Sequence, residues 1–133
     1  MTTHAAGTFH MTNWDEDTYE KLEGEAKLTK ATILQDFSGD LEASGSWETL
    51  MCYRDDGTAV YLGFQRMVGR LGGKEGSFVL RAEGTFDGNE ARSEWSVVDG
   101  SATGELEGLR GEGRSAAPHG PDGTYELDYD IAS

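Results

Sequence analysis

The run Gly100-Ser101-Ala102-Thr103-Gly104-Glu105-Leu106-Glu107-Gly108-Leu109-Arg110-Gly111-Glu112-Gly113-Arg114 decides how the chain folds. It is too rich in glycine for a helix of ordinary length. Glycines at 100, 104, 108, 111 and 113 suit sharp turns, bulges and close backbone approach. Ser101 or Thr103 is placed to cap one short helical turn holding Glu105, Leu106 and Glu107. Arg110 to Ser115 then reads as the start of a strand. A strand, a tight corner, one helical turn and a new strand is one way to close a sheet.

Outward from this run the pattern is β. Thr124 to Ile131 alternates without a break. Tyr125, Leu127, Tyr129 and Ile131 face in, and Glu126, Asp128 and Asp130 face out. Asp55-Asp56-Gly57 is the clearest hairpin turn, and Asp87-Gly88-Asn89 is a second. Between them, Thr58 to Arg70 is a long strand that turns at Gly72-Gly73 into Ser77 to Phe86. The long strand is mixed, and its lumen side stays open at this level. Val60, Leu62, Phe64, Arg66 and Val68 share one face, and Tyr61, Gly63, Gln65 and Met67 share the other. Leu41 to Arg54 is a strand with Trp47, Thr49, Met51 and Tyr53 opposite Glu48, Leu50 and Cys52. Ala91 to Val98, Ala26 to Phe37 and Ala6 to Trp14 are further strands. Asp15 to Gly24 is acidic, lacks a clear period and is expected to be a connection. Ala117 to Gly123, which holds both prolines, reads as a polar loop.

These elements make one all-β domain over residues 1–133, with about eight strands joined mostly by short turns. A meander of that size removes its open edges by closing into an antiparallel barrel. The interior of such a barrel holds its own side chains or one small ligand. At 133 residues the chain buries roughly 68% of its unfolded surface, so it needs no staples. The single Cys52 rules out an internal disulfide and fits a reducing cytoplasm, the expected location. No apolar run approaches the length of a membrane span, and the first residues lack a signal pattern. With 25 acidic and 11 basic residues, the net charge of −14 repels nucleic acid and anionic membranes.

With these residues in hand, the chain resembles a bacterial family of uncharacterised proteins with an allene-oxide-cyclase-like barrel. The matching pieces are Gly7-Thr8-Phe9 with Trp14, Phe37 to Leu41, Gly69 to Gly73, Gly76 to Leu80, Gly84-Thr85-Phe86, Gly100 to Gly113, and Tyr125 to Tyr129. The resemblance implies a short barrel with an apolar lumen, often dimeric. Barrels of this type include cofactor-independent cyclases and isomerases of unsaturated lipids or polyketides. The chain departs from the family pattern at Gln65, where Glu is frequent, at Arg81-Ala82, where Gln-His is frequent, and at Ala102, where Gly is frequent. It therefore lacks both members of a Glu–His acid–base pair.

The residue chemistry yields candidates and competing structural roles. Tyr61 and Gln65 point the same way about 13 Å apart, given a rise of roughly 3.3 Å per residue. If that face lines the lumen, Tyr61 donates to a carbonyl and Gln65 orients it; otherwise both face solvent or a partner. Glu48 in an apolar lumen is a general acid or base with a raised pKa; on a solvated face it is a surface carboxylate. Trp14, Phe78, Trp95 and His10 are the ligand-lining candidates, against a reading of the aromatics as core. Cys52 reads as a packed thiol. His4, His10 and His119 are scattered, so no metal is expected. Asp15-Glu16-Asp17 reads as a solvated loop. The glycine-rich run is no phosphate loop, because it lacks the Gly-Lys-Ser/Thr ending and a following helix. The expected partner is thus a small, mostly apolar molecule in the lumen. The alternatives are a carrier without catalysis and an interaction module with a filled barrel.

Overall fold

The computed structural model describes residues 2–119 and 122–132. Among them there is no helix; the elements are β1 (Thr3–Lys21), β2 (Lys27–Gly39), β3 (Leu41–Tyr53), β4 (Ala59–Leu71), β5 (Lys74–Phe86), β6 (Ala91–Val97), β7 (Thr103–Gly104), β8 (Leu109–His119) and β9 (Asp122–Ile131). Neighbours along the chain pair antiparallel from β1 through β6, then β6 with β8, β8 with β9, and β9 back with β1. Eight strands thus close a barrel, and the two-residue β7 lies outside that ring, bonded to Gly76 and Ser77 of β5.

The glycine-rich run makes its corner by turns alone. Gly100, Gly104 and Gly108 take φ values of 83°, 63° and 89°, which a β-carbon disfavours. Three backbone bonds, Leu106 N–H to Thr103, Glu107 N–H to Gly104 and Leu109 N–H to Leu106, close successive turns. The expected helical turn over 105–107 is therefore a chain of turns. Ser101 and Thr103 bond β5 instead of capping a helix: the Ser101 hydroxyl accepts the Val79 N–H, and Thr103 Oγ1 lies 2.7 Å from Ser77 Oγ.

Two other expectations change. Residues 15–21 continue β1, whose register with β2 shifts between Met11 and Asn13 and again between Thr18 and Glu20. Each shift breaks the period-two pattern, which is why this stretch looks aperiodic in sequence. The expected loop from Ala117 is strand as far as His119 and again from Asp122; residues 120 and 121 lie outside the described residues.

The pleat sends alternate residues inward, and nearly all of them are buried. The core joins Ile33 and Phe37 of β2, Trp47 and Met51 of β3, Tyr61 and Met67 of β4, Phe78 and Leu80 of β5, Trp95 of β6 and Leu127 of β9. Phe37 and Trp95 come from β2 and β6, opposite walls of the ring, and their rings touch edge-on at 5.9 Å. Phe9 at 5.3 Å and Tyr125 at 5.6 Å complete the cluster around Phe37. Aromatic rings therefore cross the full width of the barrel. Such pairs add about 0.5–1.5 kcal/mol each beyond simple burial.

Two tyrosines lie flat along the inner wall over glycines. A β-carbon at Gly84 would stand 2.7 Å from the Tyr61 hydroxyl, and one at Gly7 would stand 2.6 Å from the Tyr125 hydroxyl. The bare glycines let each phenol reach past its neighbouring strand. Tyr125 accepts the Leu41 N–H at 2.8 Å and donates to the Ser38 carbonyl at 2.9 Å, tying β9 to the β2–β3 corner.

Candidate functional site

The sequence candidates divide between the two faces of the wall. Tyr61, Gln65, Phe78 and Trp95 point inward and are buried. Glu48, Trp14 and His10 stand outside. Glu48 is exposed and accepts the Thr32 hydroxyl at 2.9 Å. His10 is exposed, its Nδ1 lying 2.6 Å from an Asp122 carboxylate oxygen. Trp14 is 46% exposed and donates its indole N–H to Glu16 at 2.8 Å. The reason is the pleat: with Trp47, Thr49 and Met51 turned in, Glu48 must turn out.

Inside, a polar cluster interrupts the apolar core. Gln65 donates to the Gln35 carboxamide, and Trp47 is the direct cross-strand partner of Gln65. The Tyr61 ring stands edge-on to Trp47 at 5.3 Å, and its hydroxyl lies 2.8 Å from Ser93 Oγ. Burial pushes the Tyr61 phenol up, and the Ser93 bond only partly offsets this. Tyr61 is therefore a neutral hydroxyl, able to donate but not to act as a base. Trp47 Nε1 is buried and has no hydrogen-bond partner among the described residues. An unmade bond of this kind costs about 1–3 kcal/mol.

At one end of the barrel the extension of β1 carries Glu16 to a second polar cluster. Its carboxylate accepts Thr29 at 2.6 Å, Tyr53 at 2.8 Å and Trp14 at 2.8 Å. Desolvation pushes the carboxyl up, but these three donors, with Lys27 nearby, outweigh it and hold it below its ordinary range. Burial, and then Glu16 itself, pushes the Tyr53 phenol up. Glu16 belongs to the triplet expected to be a solvated loop; the structure makes it the anchor of the β1 extension.

The third feature is the outer wall. Leu62 and Phe64 are each 58% exposed, Leu50 49%, Val68 46% and Leu34 40%. Leu50 and Leu62 are direct cross-strand partners, and Cys52 is paired with Val60 one row along. A concavity of about 1250 Å³ is lined by residues from all eight strands of the ring, among them Gly7, Leu28, Met51, Tyr61, Ser93 and Tyr125. On strand after strand the residues before and after an inward one both line it, for example 50 and 52 around Met51. Every strand of the closed ring contributes, and the inward residues Met51, Tyr61, Ser93 and Tyr125 are among the lining, so the concavity belongs to the bore of the barrel at that level and not to one outer face. The core rings Phe37, Trp47 and Trp95 do not line it. Among the described residues no three His, Cys, Asp or Glu side chains converge as metal ligands. No helix among them is long and apolar enough to cross a membrane.

Comparison with known proteins fits this barrel. A family model described as a protein of unknown function, DUF3224, matches residues 5–129. The chain belongs to that family. A crystal structure of a DUF3224 protein of unknown function from Shewanella oneidensis MR-1 is similar over 100% of both chains, with a TM-score of 0.81 and 29% identity. No curated protein matches. The residues matched by DUF3224 include the run Thr103 to Gly111, which forms the β7–β8 corner.

Proposed function

We propose that this protein is a non-catalytic binding module working through the outer face of its barrel, over β2 to β5. One observation carries the reading: β4 is turned with its more apolar face to solvent. Leu62 and Phe64 stand 58% exposed while Gln65, on the opposite face, is 2% exposed. Single exposed apolar side chains need no explanation, but a contiguous patch marks an interaction surface. At the level of Phe37 and Trp95 rings from opposite walls fill the interior, which supports the same reading.

The test is binding of an environment-sensitive apolar dye to dilute protein. Leu62→Glu and Phe64→Glu are expected to abolish the signal, with Tyr61→Phe leaving it unchanged. A signal lost in Tyr61→Phe and kept in the outer variants overturns the proposal.

A second reading is a small, mostly apolar molecule inside the barrel, with any chemistry on it a cyclisation or isomerisation without cofactor. The unpaired Trp47 Nε1 favours it, since a ligand oxygen beside Tyr61 and Gln65 supplies the missing acceptor. A ligand library that raises the melting temperature in wild type but not in Trp47→Phe supports this reading over the first.

A further inference from the structure

We propose that the second half of β1 is an open docking edge, which accepts an extended basic segment of a partner protein as an added β-strand. The observation is the mismatch between the two sides of β1. Toward β2 it is paired from Gly7 to Lys21, whereas toward β9 it is paired only from Thr3 to His10. Among the described residues no other strand pairs with it. Beyond His10 the main-chain N–H and C=O groups that point away from β2 therefore have no neighbouring strand to bond. The two register shifts of β1 bound the usable part. Between them Asn13 to Thr18 align one to one with Leu34 to Thr29, a regular stretch of about 20 Å.

The side chains of this stretch define what the added strand must carry. Asp15 and Asp17 are exposed, stand in register with Thr32 and Lys30, and line one groove with them and Tyr19. The opposite side of β1 carries Trp14, Glu16 and Thr18, in register with the fully buried Ile33, Ala31 and Thr29. Glu16 is already satisfied there by Thr29, Tyr53 and Trp14. Trp14 nonetheless stands outside at 46% exposure, because no strand flanks β1 at that point. A strand added at this edge sets alternate residues beside Asp15 and Asp17, and the residues between them beside Trp14. Lysine or arginine suits the first set, and apolar side chains suit the second.

Charge selects the occupant. Residues 13–21 hold Asp15, Glu16, Asp17 and Glu20 against Lys21 alone. Two such edges repel each other, so a second copy of this chain is a poor guest. A basic strand is attracted both by this stretch and by the net charge of −14. In strand addition of this kind main-chain bonds supply affinity, and alternate side chains supply specificity.

The experiment titrates the whole chain with labelled peptides of about eight residues, followed by fluorescence anisotropy at about 0.15 M salt. The probe alternates lysine and valine. Its control has the same composition as a lysine block followed by a valine block. Two further forms carry N-methyl groups on the valine amides or on the lysine amides. The alternating peptide should bind saturably, one per chain, and slow hydrogen exchange within residues 13–18. The block peptide should bind ~10-fold more weakly, and one of the two N-methylated forms should lose binding while the other keeps it. Asp15→Lys combined with Asp17→Lys should weaken the alternating peptide ~10-fold, with circular dichroism checking that the variant is folded. Equal binding of block and alternating peptides would mean attraction by charge alone and overturns the proposal. So does binding that neither N-methylated form loses. No binding of the alternating peptide would show an edge that is merely blunted, and the proposal falls. Exchange at residues 13–18 that slows with protein concentration in the absence of peptide would give the edge to a second copy, which also overturns it.

Discussion

Strands β9 and β4 lie in one barrel and use the same alternation in opposite ways. On β9 the inward residues Tyr125, Leu127 and Tyr129 are all buried, and the outward ones are acids. On β4 the inward face carries Tyr61, Gly63, Gln65 and Met67, and the outward face carries Val60, Leu62, Phe64, Arg66 and Val68. The barrel sets which side of a strand is inside, and the sequence of β4 spends its apolar surface on the other side. β9 therefore places its apolar residues in the core, whereas β4 leaves Leu62 and Phe64 exposed outside it.

The same substitution on the two strands is the strongest way to break the comparison. Leu127→Ala removes a fully buried side chain and should cost about 2–5 kcal/mol, lowering the melting temperature by roughly 8–20 °C. Leu62→Ala should change stability by no more than about 0.5 kcal/mol while weakening binding at the outer face. Similar losses at both sites would mean that Leu62 is core and the comparison is false.

The hydroxyls sharpen it further. Tyr125→Phe leaves the Leu41 N–H without its acceptor in a buried place and should cost about 1–3 kcal/mol by chemical denaturation. Tyr61→Phe loses a bond shared with Ser93, whose own hydroxyl can turn to another acceptor, and should cost only about 0.5–1.5 kcal/mol.

The smallest effect concerns the β1 extension, which belongs to neither strand. The Glu16 carboxyl is held below its ordinary value of 4.5, so the folded state binds its proton less readily than the unfolded chain does. Its contribution is complete above that value and is lost as pH falls through the lower folded one. The melting-temperature gap between wild type and Glu16→Gln should therefore be constant near neutrality and narrow below about pH 4. A gap that widens on acidification would show that the three donors do not hold the carboxylate.

The contrast also explains what could be read from the sequence. β9 was legible because its apolar face and its buried face coincide. The hairpin at Asp55 to Gly57 was legible because turn chemistry is local, and the Arg54 N–H does bond the Thr58 carbonyl across it. The inward face of β4 was not, since apolar periodicity reports the greasier side of a strand and is silent on which side is enclosed. The far half of β1 was hidden by its two register shifts. The candidate residues followed the same rule. Tyr61, Gln65, Phe78 and Trp95 share the enclosed side, whereas Glu48, Trp14 and His10 do not. The orphan indole of Trp47 depends on long-range register, which no single stretch of sequence displays.

The seam between β1 and β9 has a consequence for how the molecule is made. Thr3 pairs with Tyr129, and His10 with Asp122, so the last gap in the ring is closed by the first and last strands of the barrel. Every other junction joins strands that follow one another closely. On a ribosome, β1 through β8 emerge as a curled sheet with two raw edges, and the ring cannot shut until Tyr129 has left the exit tunnel. Loop-closure entropy makes such a distant pairing slow. The nascent sheet is thus exposed to stray strand pairing until β9 emerges, and a stop codon that removes β9 would leave it exposed for good.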